Sequence, residues 1–360
     1  MDDFGSKLFE VADIITNILS RLPVKSLIIC KSVSKHWRSL ICSPNFMRLQ
    51  LLRSKEYPTY LFFPYTHWGR KVHFLTKTDG ETTETLPGCD GYRFKDMICS
   101  FNGLICCINC EGLIFCKRTR TTGRLEIRIY NPATREVLLL PRGRNLGEEP
   151  KIGVAFGPRI NGYKVFRFFC TTGETQDKHN ECEVYSSITG SWKGIGRVAH
   201  SPWGSSKHVC INGIVYWFVR SEKDGLTVGF ILAVDVEENF SVINIPEEKT
   251  LHPCLVNLEG HLSLVAANGV DKDRFDIWVL YDSKESIWVK KWSDYMPIFN
   301  IKQVNYVAVR KNEILFGSVK HYLFYNMVTR TWRELNWGHS CRDRFSFPMT
   351  YTESLLPCKY

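Results

Sequence analysis

Four cysteines, Cys106, Cys107, Cys110 and Cys116, crowd the stretch LICCINCEGLIFC. Thiolates could hold zinc there, but zinc wants four ligands, usually as two separated pairs. Only one CxxC spacing occurs, no histidine is near in sequence, and the flanking pattern is strand, turn, strand. The spacing therefore predicts buried thiols in a hairpin and no metal. A second candidate is the basic run Lys117-Arg118-Thr119-Arg120, with Arg124 and Arg128 beyond it. It could meet an acidic ligand, although charge in a turn is more commonly just solvated. No phosphate-cradling glycine loop, HExxH, GxSxG or GxGxxG motif occurs, and the ten histidines are scattered without ligand spacing. The sequence thus assigns no catalytic residue and no cofactor.

The bulk properties narrow the setting. Fourteen cysteines in 360 residues are too sparse for a disulfide scaffold. The opening MDDFGSKLFE is acidic and polar, unlike a secretory signal. No apolar run approaches the roughly eighteen residues of a membrane span. The expectation is a chain of the cytosol or nucleus, with reduced thiols and no membrane partner. The net charge is +10; residues 1–55 hold nine basic and four acidic side chains, and the rest hold 38 and 33. Half of the excess thus sits in the first seventh of the chain, which favours acidic partners for that segment.

That basic segment is also helix-patterned. Ile14, Ile15, Ile18, Leu19 and Leu22 share one helical face. Pro23 ends this helix and suits the first turn of the next, where Leu27 and Cys30 continue an apolar face. Val33, Trp37, Leu40 and Ile41 give a third short face. Ser43-Pro44 is an N-cap followed by proline, so a fourth helix carrying Phe46, Leu49 and Leu52 is expected. Three or four short helices are too few to bury a core alone. SKEYPT, residues 54–59, reads as the junction to the remainder of the chain.

Beyond it the texture changes to aromatic and β-branched runs between Gly, Asn and Pro, with no helix expected after Tyr60. The runs repeat. YNPATREV, VYSSITGSW, VDVEENF, YDSKESIW and YNMVTRTW each join a strand to a turn and a bulky residue, at Val137, Trp192, Phe240, Trp288 and Trp332. SFNGLICCI, CINGIVYWF, NLEGHLSLV and VRKNEILFG form a second recurring element. A period of about 50 residues with several strands matches one propeller blade per repeat, hence about six blades. The aromatic series is read as blade packing. The least regular blade is the first, and chain closure is expected to complete the last.

Taken in order, these motifs resemble a known family. Ile18–Leu27 and Val33–Leu40 are similar to an F-box. Asn131-Pro132-Ala133-Thr134-Arg135, Gly162-Tyr163-Lys164-Val165, Gly190-Ser191-Trp192, Val209–Gly213 and Tyr351-Thr352-Glu353-Ser354-Leu355 resemble the kelch-like domain associated with it in plant F-box proteins. Three departures stand out: Glu10-Val11 replaces the usual Leu-Pro, Ile29 replaces a frequent arginine, and no Gly-Gly doublet occurs. The resemblance implies an α+β multidomain chain. An F-box helical bundle over residues 1–54 would precede an all-β propeller-like domain over 55–360. It also implies docking on a Skp-type adaptor, and through it on a cullin scaffold. Ile14, Ile18, Leu19, Leu22, Pro23, Val24, Lys25, Leu27 and Trp37 would touch the adaptor, with Lys31 also at the rim, as an apolar cluster with charged edges. Trp37 fits a core position equally well.

The implied role is a substrate-recognition subunit of a Skp–cullin–F-box ubiquitin ligase. Its β domain would bind an unknown target protein through loops such as Gly173–Asn180, Ser201–Lys207 and Gly338–Arg344. Such a receptor needs no nucleophile of its own, because it raises the local concentration of target near the transferring enzyme. The alternative is a stand-alone binding module for a carbohydrate or acidic ligand. Nucleic acid, suggested by charge alone, lacks a recognition motif.

Overall fold

A computed structural model describes residues 12–64, 74–87, 94–111, 124–144, 150–157, 162–172, 178–202, 207–223, 226–246, 250–268, 270–271, 273–297, 304, 306–318, 321–335 and 345–360. Four helices come first: α1 (residues 12–19), α2 (Val24–Cys30), α3 (Lys35–Ile41) and α4 (Pro44–Ser54). Only strands come after them among the described residues. Blade 1 takes β1 (Thr59–Pro64), β2 (Phe74–Thr78) and β3 (Thr83–Pro87); blade 2 takes β4 (Phe94–Phe101), β5 (Leu104–Glu111), β6 (Arg124–Asn131) and β7 (Glu136–Leu139). Blade 3 is β8 (Lys151–Phe156), β9 (Tyr163–Thr172), β10 (Lys178–Ser186) and β11 (Ser191–Val198). Blade 4 is β12 (His208–Ile211), β13 (Ile214–Lys223), β14 (Leu226–Val234) and β15 (Phe240–Asn244). Blade 5 is β16 (Thr250–Leu258), β17 (His261–Asn268), β18 (Arg274–Asp282) and β19 (Ile287–Tyr295). Blade 6 is β20 (Tyr306–Arg310), β21 (Glu313–Gly317), β22 (Tyr322–Asn326) and β23 (Thr331–Glu334).

The final strand, β24 (Phe345–Tyr351), returns to pair antiparallel with β1, so blade 1 reads β24-β1-β2-β3. Closure therefore completes the first blade, whereas the sequence pattern pointed to the last. Strands β24, β4, β8, β12, β16 and β20 neighbour one another in a ring around the axis. The described residues thus form a six-bladed propeller, with an apolar cluster between each pair of adjacent blades.

The two recurring sequence elements are its two kinds of tight turn. Asn102-Gly103, Asn212-Gly213 and Glu259-Gly260 join first strands to second strands with both residues at positive φ, the two-residue turn that matches strand twist. The YNPATREV-type element joins third to fourth strands. Side chains of Asn131, Asp282 and Asn326 accept backbone N–H groups inside the turn, and Arg135, Ser286 and Arg330 close it at positive φ. The bulky residue then lies opposite the strand it left: Trp192 on Tyr185 and Trp332 on Tyr325. The Trp192 and Trp288 indoles donate to the Pro141 and Asn244 carbonyls, each 2.8 Å away, at the outer edge of the preceding blade. The aromatic series is accordingly blade packing.

Because strands alternate in direction, both kinds of tight turn open on one end of the ring. The chain also enters β1 and leaves β24 at that end, so α1–α4 sit there. Second strands end, third strands begin, and each blade hands on to the next at the opposite end. Of the three candidate target-binding loops, residues 173–177, 203–206 and 338–344 lie outside the described residues, as do Glu10-Val11, Cys116 and Lys117–Arg120.

Candidate functional site

The helical segment is built from caps and a minimal core. Ser43 accepts the Phe46 N–H at 3.3 Å, starting α4 at the cap the sequence placed there, and Ser34 accepts the Trp37 N–H at 3.1 Å, starting α3 at Lys35, so Val33, assigned to the third apolar face, falls in the preceding turn. Leu19, Val24, Leu27, Ile41 and Phe46 are buried together, with Ile15, Leu22, Trp37 and Leu40 packed around them. Within α4 the inside position belongs to Leu51, while Leu52, assigned to the apolar face by periodicity, is exposed. Arg53 donates to both the backbone and the side-chain oxygen of Asn17, and Arg21 donates to the same side-chain oxygen, so α4 and the end of α1 are tied by polar contacts.

Burial sorts the nine residues assigned to adaptor contact. Ile14 and Ile18 are each 58% exposed, and Pro23 and Lys25 are exposed beside them in sequence. Leu22 and Trp37 are half-buried against the bundle core. Leu19, Val24 and Leu27 are 0–2% exposed and turn inward. Those three hold the bundle together and cannot touch a partner unless it opens. Sequence periodicity passed over Ile28 and Ile29, which with Val33 of the α2–α3 turn are exposed. An apolar side chain left at 58–65% exposure gains well under half of what full burial would give, and several on one small bundle point to an interface.

The propeller offers a second candidate, a central channel of about 450 Å³ lined by all six inner strands. Cys99, His208 and Cys210 face it among mostly apolar neighbours. Burial raises the Cys99 thiol well above its ordinary range and pushes the Cys210 thiol up to about 11, which keeps both protonated and unreactive. Cys106 and Cys107 are buried in β5, and no group of three or more His, Cys, Asp or Glu among the described residues is placed to hold a metal. Arg128 is buried and paired with Glu126 at 2.6 Å.

His208 also gives the chain an acid limit. Its Nε2 accepts the Val154 N–H at 3.0 Å, which requires the neutral ring, and burial lowers its pKa to about 4. An unfolded histidine titrates near 6.5. Between those values the unfolded chain takes up a proton that the folded chain refuses, so stability falls as pH drops from about 6.5 towards 4. Urea titrations at pH 7 and pH 4.5 should show His208→Gln, which keeps an acceptor, losing about 2–3 kcal/mol less than wild type over that interval.

Comparison with known proteins identifies the architecture. Residues 60–338 match the F-box associated beta propeller domain, and residues 12–49 match the F-box domain. The chain is a member of this F-box family. F-box protein At5g65850 of Arabidopsis thaliana is 29% identical over 329 residues, covering 85% of this chain and 77% of the relative. F-box protein DOR of the same plant is 27% identical over 300 residues, covering 79% and 74%. The α1–α4 bundle is therefore the F-box and the six blades are its associated domain. The exposed isoleucines belong to the F-box, and no helix among the described residues is long and apolar enough to cross a membrane.

Proposed function

We propose that this F-box protein is a non-catalytic substrate receptor of a Skp–cullin–F-box ubiquitin ligase, working in the cytosol or nucleus. The observation that carries the reading is the arrangement of its two ends. Exposed Ile14, Ile18, Ile28, Ile29 and Val33 sit on the bundle at the tight-turn end, while the strand ends that carry the longer connections, segments free to vary without disturbing blades, lie at the other. The apolar set, with Pro23 at its centre in sequence and Lys25 and Lys31 at its edge, suits an acidic Skp-type adaptor. Leu22 and Trp37 support it from the half-buried layer. A target held by loops at the far end would be carried to the transferring enzyme by proximity alone. The test is reconstitution. The full chain, mixed with a purified plant Skp-type adaptor and a cullin–RING core, should elute as one stoichiometric assembly. Separate elution at micromolar concentrations contradicts the reading and favours the stand-alone binding module.

A further inference from the structure

Two signature motifs that lie far apart in sequence meet beneath the propeller. The buried Asn131 side chain donates from Nδ2 to the carbonyls of Ser354 (3.1 Å) and Leu356 (2.9 Å). Its Oδ1 meanwhile accepts the N–H groups of Ala133 (3.0 Å) and Thr134 (3.3 Å). The Asn-Pro-Ala-Thr turn of blade 2 thus grips the segment just beyond β24. Further fasteners flank this grip. Ser354 Oγ donates to the Asn102 carbonyl at 2.6 Å, Cys358 N–H donates to Glu136 Oε1 at 3.0 Å, and the Tyr163 hydroxyl donates to the Cys358 carbonyl at 2.7 Å. Gly103 leaves room for this path: a Cβ there would lie 2.3 Å from Ser354 Oγ.

The gripped segment presents Leu355. It is 5% exposed and lies in the same cluster as Leu19, Val24, Leu27, Ile41 and Phe46 of the F-box, with Ala133 packed against that cluster. The F-box core is therefore completed by the propeller and by residues after the last blade strand. Four short helices with so few buried side chains gain from borrowing this surface.

We propose that Asn131 is a positioning residue: by clasping residues 354–356 it seats Leu355 in the F-box and fixes the F-box rigidly on the tight-turn end. The seat stands whatever the F-box binds; its use, holding a target at a set distance from the ligase, rests on the receptor function proposed for the chain. Asn131→Asp is nearly isosteric and keeps the turn acceptor, but sets a carboxylate oxygen against two carbonyls. A second variant ending after Tyr351 keeps Asn131 and the β24–β1 pairing and removes the clasped segment, together with the Cys358 contacts to Tyr163 and Glu136 between blades 2 and 3. In hydrogen exchange, amides of α2 and α3 should open on the order of tenfold faster or more in both variants, because two buried hydrogen bonds or the Leu355 contact is lost. Small-angle scattering should show a longer maximum dimension, while propeller amides in β13 and β17, in blades the segment does not touch, keep wild-type protection. Wild-type exchange and dimensions in both variants would overturn the proposal. So would loss of β13 and β17 protection in both, since the segment would then serve the propeller as a whole. Neither readout depends on whether an adaptor binds.

Discussion

Replacing Ile14 and Ile18 by aspartate should abolish capture of a Skp-type adaptor while leaving the protein folded. Both side chains are 58% exposed, so the substitution removes almost no internal packing. Ile14 lies in the first turn of α1, where aspartate suits the helix dipole, and Ile18 in its last turn, where it does not; the two effects roughly offset, and exposed changes of this kind stay within about 0.5 kcal/mol of neutral. On binding the balance reverses. Two carboxylates would be driven into the apolar centre of an interface without partners, at a cost of several kcal/mol, or more than about a hundredfold in affinity. Titration calorimetry against the adaptor reads the loss, and circular dichroism with a urea midpoint reads the fold. Leu27→Asp makes the contrast: Leu27 is fully buried, so that variant should lose binding and helix content together. Retained affinity in the double variant would mean that the exposed isoleucines serve something else.

Ending the chain before Phe345 should prevent the propeller from folding, whereas ending it after Tyr351 should leave the ring closed. β24 is the innermost strand of blade 1 and the neighbour of β20 and β4, so its loss breaks the ring at a single place. The open form would expose the free edge of β1, and with it Leu61, Leu75 and Tyr60, which are at most 1% exposed in the closed ring. Unpaired edges of this kind aggregate. The expected result is insoluble or expanded protein by size-exclusion chromatography. Tyr351 offers a graded version. Its ring is fully buried, so Tyr351→Ala should cost about 3–5 kcal/mol in a urea titration. Its hydroxyl has no hydrogen-bond partner among the described residues, so Tyr351→Phe should be neutral or stabilising.

The blade repeat was legible because its chemistry is local. An Asn or Asp opens each of the turns at 131, 282 and 326, a residue at positive φ closes it, and a bulky side chain comes at a fixed step; all of this happens within eight residues. Closure was not legible in the same way. The pairing of Thr59 with Tyr351 spans nearly the whole chain and depends on how many blades fit around the axis, which no local window contains. The F-box assignment divided along a similar line. Periodicity identifies apolar faces, but in a bundle of short helices both the inward and the outward side carry them. It could not tell Leu19, Val24 and Leu27, which hold the core, from Ile14 and Ile18, which face solvent. Ile29 looked like a departure from the family pattern and proves to be 65% exposed. Leu355 stood in a motif of the family, but nothing local told what it packs on, since the surface it fills belongs to helices some three hundred residues earlier.

The central claim is that one end of this molecule docks a ligase adaptor while the other is left open for a target. Hydrogen exchange of the full chain, with and without a saturating Skp-type adaptor, tests it most directly. Protection should appear in residues 12–42, strongest around Ile14, Ile18 and Pro23, with strand ends flanking the long connections, such as 171–172 and 178–180, unchanged. Protection at those strand ends with α1 and α2 unaltered would contradict the account.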